Sequence, residues 1–224
     1  RLFMKMISPK LRIWDVTSSN LVDHFVANSS FVAKRIKRYY NRDCDVVFPP
    51  CDIEKYVNNP RNPQDYYLFF GQLVGYKRAD LAIEACIQSK RKIVVIGEGK
   101  SKQAKKYQKS GYVTFTGRVS DEQVADYLSK AKALLFPGIE DFGIIPVEAN
   151  SAGCPVLAYK KGGAIDSIKE NITGLFFEEQ TVQSIIDCIN KFESMESQFT
   201  NREAYTAHVQ QCSKKQLIQK MSHL

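Results

Sequence analysis

The 224-residue chain contains no apolar run near the ~18 residues that a membrane-spanning helix requires, so no stretch of it reads as a spanning helix. Residues 1–14 are too interrupted by charge for a secretory signal, and residue 1 is Arg, so the chain is expected to be a fragment or a processed product. None of the six cysteines (Cys44, Cys51, Cys86, Cys154, Cys188, Cys212) forms a Cys-x-x-Cys pair. The three histidines (His24, His208, His223) stand far from one another and from any such pair, which argues against a metal site. The cysteines read as small core hydrophobes in a reducing compartment. A P-loop is also missing: Gly99-Lys100-Ser101 would need a Gly where Val94 stands. Gly97-x-Gly99 lacks the third Gly of a dinucleotide fingerprint.

With 44% hydrophobic and 25% charged residues, the composition is that of an ordinary globular protein. The length suits one large domain, or one domain plus part of another. A net charge of +8 admits nucleic acid, an anionic membrane surface or phosphate-bearing substrates as partners. No nucleic-acid-binding signature accompanies it. The basic residues cluster at Lys34, Arg35, Lys37 and Arg38, and again at Lys100, Lys102, Lys105, Lys106 and Lys109. The second group reads as a solvated helix face. The first lies on an amphipathic helix and is either a plain exposed face or a contact for lipid headgroups.

Apolar runs of strand length occur at 66–70, 92–96, 113–116, 133–136, 155–159 and 174–177. Most are followed by helical patterns: 79–89, 121–132 behind the capping box Ser120-Asp-Glu-Gln123, and 182–192 with Val182, Ile185, Ile186, Ile189 and Phe192 on one face. Alternation at this spacing predicts an α/β fold with a doubly wound parallel sheet. Upstream, 23–28 and 45–50 read as short strands around a helix capped by Ser29 or Ser30. Residues 51–65, polar and containing Pro60 and Pro63, read as a linker, and 202–224 as a helical tail with few anchors.

The loops following the strands share one rim. They are Gly71-Gln-Leu-Val-Gly-Tyr-Lys-Arg78, Gly97-Glu-Gly-Lys100, Gly117-Arg-Val119, the stretch from Glu140 to Glu148, and Lys160-Lys-Gly-Gly163. The fourth reads Glu-Asp-Phe-Gly-Ile-Ile-Pro-Val-Glu, with Glu140 in a loop past a strand and Glu148 in the opening turn of a helix that Pro146 helps to start. Helix N-termini at such a rim favour phosphate, and acids beside it suit sugar hydroxyls. The pattern predicts a polyol-plus-phosphate site, although acids near a helix start also occur simply because they complement its dipole.

These residues resemble the C-terminal half of GT-B-fold family 4 retaining glycosyltransferases, over roughly 23–192. The family's Glu-x7-Glu motif is met by Glu140 and Glu148. Gly-x-Leu-Val-x-Tyr-Lys-Arg, Thr-Gly-Arg-Val-Ser, Lys-Gly-Gly-Ala and the Ala-Asn-Ser-Ala-Gly-Cys-Pro-Val that follows Glu148 stand in the family's order. The resemblance implies a Rossmann-like donor domain, a parallel sheet with helices on both faces, over 53–200. Residues 1–52 would be the end of an N-terminal acceptor domain plus the linker, and 201–224 a helix returning toward it.

The resemblance also implies roles. Glu140 would contact the transferred sugar and stabilise charge at its anomeric carbon, and Lys77 would neutralise the diphosphate, which removes the need for a metal or any resident cofactor. Glu148 would accept from the ribose, and Arg118 and Val119 would flank the base. Gly71, Gln72, Arg78, Asp141, Phe142, Gly143 and Ile144 would complete donor binding, the last three through their backbone. Gln72 stands where the family usually has Arg, which forgoes a charge-assisted contact worth roughly 1.5–3 kcal/mol. The expected partners are a nucleotide-diphosphate sugar, GDP-mannose first with UDP sugars open, and a glycan or lipid-linked acceptor; nucleic acid is not among them. A cytoplasmic location is implied, at most peripheral at the membrane's cytoplasmic face. The rival reading is a binding or assembly module that has lost transfer.

Overall fold

The computed structural model describes residues 2–57, 59–99 and 104–222. Lys100, Ser101, Lys102 and His223 lie outside them, as does the Lys105 side chain. The chain opens with α1 (Leu2–Ser19), β1 (Val26–Ala27), α2 (Ser30–Tyr40) and β2 (Asp45–Val46). Ser29 caps α2, its hydroxyl accepting from the Val32 amide at 3.1 Å. β1 and β2 pair in parallel, Val26 opposite Asp45. The strand expected over 45–50 is thus two residues long. Helix α1 was not foreseen; it leaves Met4, Leu11 and Trp14 exposed.

Residues 51–65, read as linker from their prolines, carry a short helix α3 (Glu54–Val57). Cys51, Ile53 and Tyr56 supply enough apolar surface to bury there, and the prolines begin only after it. Then come β3 (Tyr67–Phe70), α4 (Ala79–Gln88), β4 (Ile93–Ile96), α5 (Ala104–Gln108), β5 (Val113–Gly117), α6 (Asp121–Lys130), β6 (Leu134–Phe136), α7 (Ile144–Ser151), β7 (Val156–Tyr159), α8 (Ala164–Ser167), β8 (Gly174–Phe177) and α9 (Val182–Ser194). The capping box at Ser120 and Gln123 forms as expected.

The six later strands form one parallel sheet in the order β5-β4-β3-β6-β7-β8. Period-2 alternation sorts their side chains to two covered faces. Tyr67, Phe69, Ile93, Val95, Leu135, Leu157 and Leu175 meet α4 and α9. Leu68, Ile96, Leu134, Phe136, Val156 and Ala158 meet α6, α7 and α8.

The tail is α10 (Arg202–Val209) and α11 (Lys214–Met221). It is held more firmly than its polar composition suggests. Tyr205, Val209 and Cys212 are buried, and the Arg202 guanidinium donates to the carbonyls of Ala152, Val57 and Asn59. Periodicity finds apolar anchors; it does not register an arginine that ties together three carbonyls.

Leu157 is wholly buried, whereas Ile218 on α11 is 64% exposed. Leu157→Ala should therefore cost about 2–5 kcal/mol in urea unfolding, and Ile218→Ala no more than about 0.5 kcal/mol.

Candidate functional site at the switch between β3 and β6

β3 and β6 are neighbours in the sheet but not in sequence: the chain winds outward from β3 through β4 to β5, then returns to start again at β6. Their following loops diverge and leave a crevice between them, the place where open α/β sheets hold ligands. The loop after β3 begins at Gly71 (φ +146) and folds back through a 3-10 turn at Gly75–Lys77. This lays Lys77 across Gly71, where an added Cβ would lie 3.3 Å from both Cδ and Nζ of the lysine. From the loop after β6, Gly138 approaches so closely that a Cβ there would sit 2.9 Å from the Lys77 Cα.

The two loops bring Lys77 Nζ to 2.8 Å from Glu140 Oε1, with the side chains only 14% and 20% exposed. That oxygen is buried and makes no aligned hydrogen bond among the described residues. The contact is one of charge rather than of directed hydrogen bonding, and both groups keep bonding capacity. Sheltered charges at this distance attract far more strongly than a surface pair.

Around them the rim is packed backbone on backbone. A Cβ on Gly97 would stand 1.9 Å from the Gly71 carbonyl oxygen, and one on Gly163 would stand 2.3 Å from the Phe142 Cα. The Gly163 amide donates to the Glu140 carbonyl at 2.8 Å. Asp141 is exposed, with its carboxylate 2.7 Å from Arg35 of α2. Phe142 is buried and packs its ring against Phe48 at 5.3 Å, so its backbone alone faces the rim. Gly143 (φ +85) stands at the N-cap of α7 and offers no side-chain cap. The first-turn amides of Ile144 and Ile145 have no intrahelical acceptor, and Pro146 has no amide hydrogen. Ile144 itself is half exposed.

Glu148 lies one turn deeper in α7 than the spacing suggested, as the fifth helical residue. It accepts a hydrogen bond from the Tyr56 hydroxyl of α3. Burial raises its carboxyl above the ordinary carboxylate value; the Tyr56 bond opposes this, the nearby Asp121 charge adds to it, and Lys55 opposes it. Asp121, whose charge acts on Glu148, opens α6 two residues beyond Val119. Arg118 is exposed, and Val119 packs against the core beneath α6.

Two of the expected groups stand apart from the Lys77–Glu140 contact. Gln72 is exposed. Arg78, in the left-handed region (φ +52), folds onto Asp80 at 3.1 Å. Tyr56, Gly138 and Ile145 join the site without having been foreseen; Gly138, directly after the Phe-Pro that ends β6, was the legible one. Cavities open elsewhere among the described residues, two of them beside the tail. One of about 710 Å³ lies between α3 and the tail, lined by Asp52, Ile53 and Gln210, and one of about 330 Å³ is lined by Arg61, Arg202 and Tyr205. The convergence of charge and open amides, rather than enclosed volume, marks the rim. Among the described residues, no three His, Cys, Asp or Glu side chains cluster as metal ligands.

Comparison with known proteins places these features in a family. The family model described as Glycosyl transferases group 1 matches residues 52–210. The human alpha-1,3/1,6-mannosyltransferase ALG2 is 26% identical, over 78% of this chain and 51% of that protein. A D-inositol 3-phosphate glycosyltransferase of Streptomyces scabiei is 28% identical, over 70% of this chain and 43% of that protein. The chain thus spans about half the length of the curated relatives it matches. Among solved structures, Anabaena HepE in complex with UDP-glucose superposes with a TM-score of 0.74 at 19% identity, covering 91% of this chain and 64% of that one. The shared fold is the GT-B one.

The raised Glu148 carboxyl sets a pH-dependent stability. The folded chain holds that proton to higher pH than the unfolded chain, so stability is lost as pH rises from the ordinary carboxylate value through the raised one. Glu148→Gln, which keeps an acceptor for Tyr56, should therefore raise the melting temperature at neutral pH. The gain should shrink toward zero in acid below the ordinary carboxylate value.

Proposed function

This chain belongs to the group 1 glycosyl transferases, and on that premise we propose that its rim binds a nucleotide-diphosphate sugar and supports transfer of the sugar, with retention, to a glycan or lipid-linked acceptor. The observation that carries the proposal is the sheltered 2.8 Å approach of Lys77 to Glu140 at the β3–β6 switch. When the bond from the anomeric carbon to the diphosphate breaks, negative charge grows on the leaving phosphate and positive charge on the sugar. An ammonium and a carboxylate held side by side can face these two charges respectively, which is the preorganised electrostatic help such a step needs. In the free chain each is the other's counter-ion, so donor binding exchanges that contact for contacts with the ligand. Lys77 thereby takes the part a metal ion plays elsewhere.

The open amides of Ile144 and Ile145, behind a glycine N-cap, suit a phosphate oxygen. Gly71 and the backbone of Asp141, Phe142 and Gly143 line the same crevice, and Gln72 and Arg78 flank it. Glu148, oriented by Tyr56, would receive the ribose hydroxyls, with the base toward Arg118 and Val119. The name of the human relative favours a mannosyl donor such as GDP-mannose, and the ligand of the Anabaena structure favours a UDP sugar; the rim groups suit the diphosphate and sugar of either. Peripheral contact with an anionic membrane surface is proposed from Lys34, Lys37 and Arg38 on α2. Among the described residues no helix is long and apolar enough to cross a membrane.

Calorimetry with GDP, UDP and their sugars tests the site. Lys77→Ala should weaken nucleoside diphosphate binding by about 10-fold to 100-fold, the loss of one charge-assisted contact, and Glu148→Ala should weaken all of these ligands alike, since each carries the ribose. An unaltered chain that binds none of these ligands overturns the proposal. Gln72→Arg restores a cation to the first loop and should tighten diphosphate binding about 10-fold; an unchanged or weaker affinity would show that the exposed position cannot reach the phosphates.

A further inference from the structure

The Glu140–Phe142 segment has no regular structure of its own, and most of what fixes it comes from about a hundred residues upstream. The Ser29 hydroxyl, fully buried, donates to the Asp141 carbonyl while it accepts from the Val32 amide. Arg35, one and a half turns along α2, reaches the Asp141 carboxylate at 2.7 Å. The Ser30 amide donates at 2.7 Å to Asp166, which stands in α8 just past the Gly162-Gly163 turn. That turn closes on the same segment from the other side, through the Gly163 amide and the space its missing side chain leaves. Phe48, beyond β2, completes the grip on Phe142. Glu140 is therefore placed by a vise, one jaw of which is the start of α2.

We propose that Ser29 and Arg35 are positioning residues for the donor sugar: they hold Asp141, and through it Glu140, so that recognition of the sugar half of the donor depends on α2 being seated. This rests on the functional reading above and extends it to groups outside the rim loops. Lys77 is held by Gly71 and Gly138 rather than by the vise, so diphosphate recognition does not depend on the seating of α2. The two contacts differ in weight. Ser29 is buried and its loss leaves a carbonyl unpaired, whereas the Arg35–Asp141 pair is about half exposed on both sides and screened. By reciprocity, donor sugar bound at Glu140 tightens the seating of α2.

The experiment compares UDP with UDP-glucose, and GDP with GDP-mannose, by calorimetry on the unaltered chain and on Ser29→Ala, Arg35→Ala and Asp141→Asn. Lys37→Ala serves as control, since Lys37, on the same helix as Arg35, pairs with Asp43 beyond the helix end. Ser29→Ala should weaken the sugar nucleotide about fivefold to tenfold and leave the bare nucleotide within about twofold. Arg35→Ala and Asp141→Asn should each give about twofold on the sugar nucleotide only, without adding to each other. Lys37→Ala should change neither. Because Ser29→Ala also removes the α2 cap, thermal unfolding checks the fold, and the two Arg35–Asp141 variants carry the idea without disturbing the cap. Equal weakening of both ligands, or of neither, overturns the positioning role. If the unaltered chain binds no nucleotide, the functional reading fails instead. Amide exchange then decides the vise alone: Gly163 should exchange faster in Ser29→Ala, and an unchanged rate overturns it.

Discussion

One close approach governs this molecule: the loops after β3 and β6 meet with almost no space between them, and the meeting leaves an ammonium and a carboxylate facing each other. A sheltered pair of this kind adds little to stability, because removing two charges from water costs about what their attraction returns. Its value lies in orientation. Both groups are held in place, since Lys77 rests on Gly71 and against Gly138, and Glu140 is pinned through its own carbonyl and that of Asp141. A side chain at any of those glycines would separate the loops before it disturbed the sheet.

The two ends of the sheet are built by different means. At the rim, loop is stacked on loop through glycines, Gly97 onto Gly71 and Gly99 onto Leu73, so that main-chain groups are presented with little side-chain cover. At the opposite end, arginines close the structure. Arg61 donates to the carbonyls at the end of α6, and Arg202 to that of Ala152 beyond α7, satisfying carbonyls that a helix end leaves open. The open rim therefore stands on a closed base, the arrangement that lets short loops hold fixed geometry.

The strands, the larger helices and the capping box were legible because burial on both faces and helical periodicity write directly into residue order. The rim glycines and the two glutamates were legible for the same reason: strand ends and helix starts are local events. Residues 51–65 were less so, because polar composition masked the three apolar positions that dock α3, and the depth of Glu148 depended on where α7 begins. The partners of Glu148 and Asp141 were not legible, since Tyr56 and Arg35 stand on elements whose packing no local pattern states. The same holds for Arg78, whose sequence neighbourhood suggested the crevice and whose backbone turns it to Asp80.

The sequence by itself determined which segments form the six-stranded sheet and its larger helices, that the sheet is parallel, and which loops share its rim, because each follows from short-range sterics and the period of burial. Only the tertiary structure decided that Lys77 and Glu140 touch, that Glu148 answers to α3, and that α2 grips the loop between them. Those are contacts between residues tens to more than a hundred positions apart, and their distances are set by how the layers pack, which no local pattern of residues encodes.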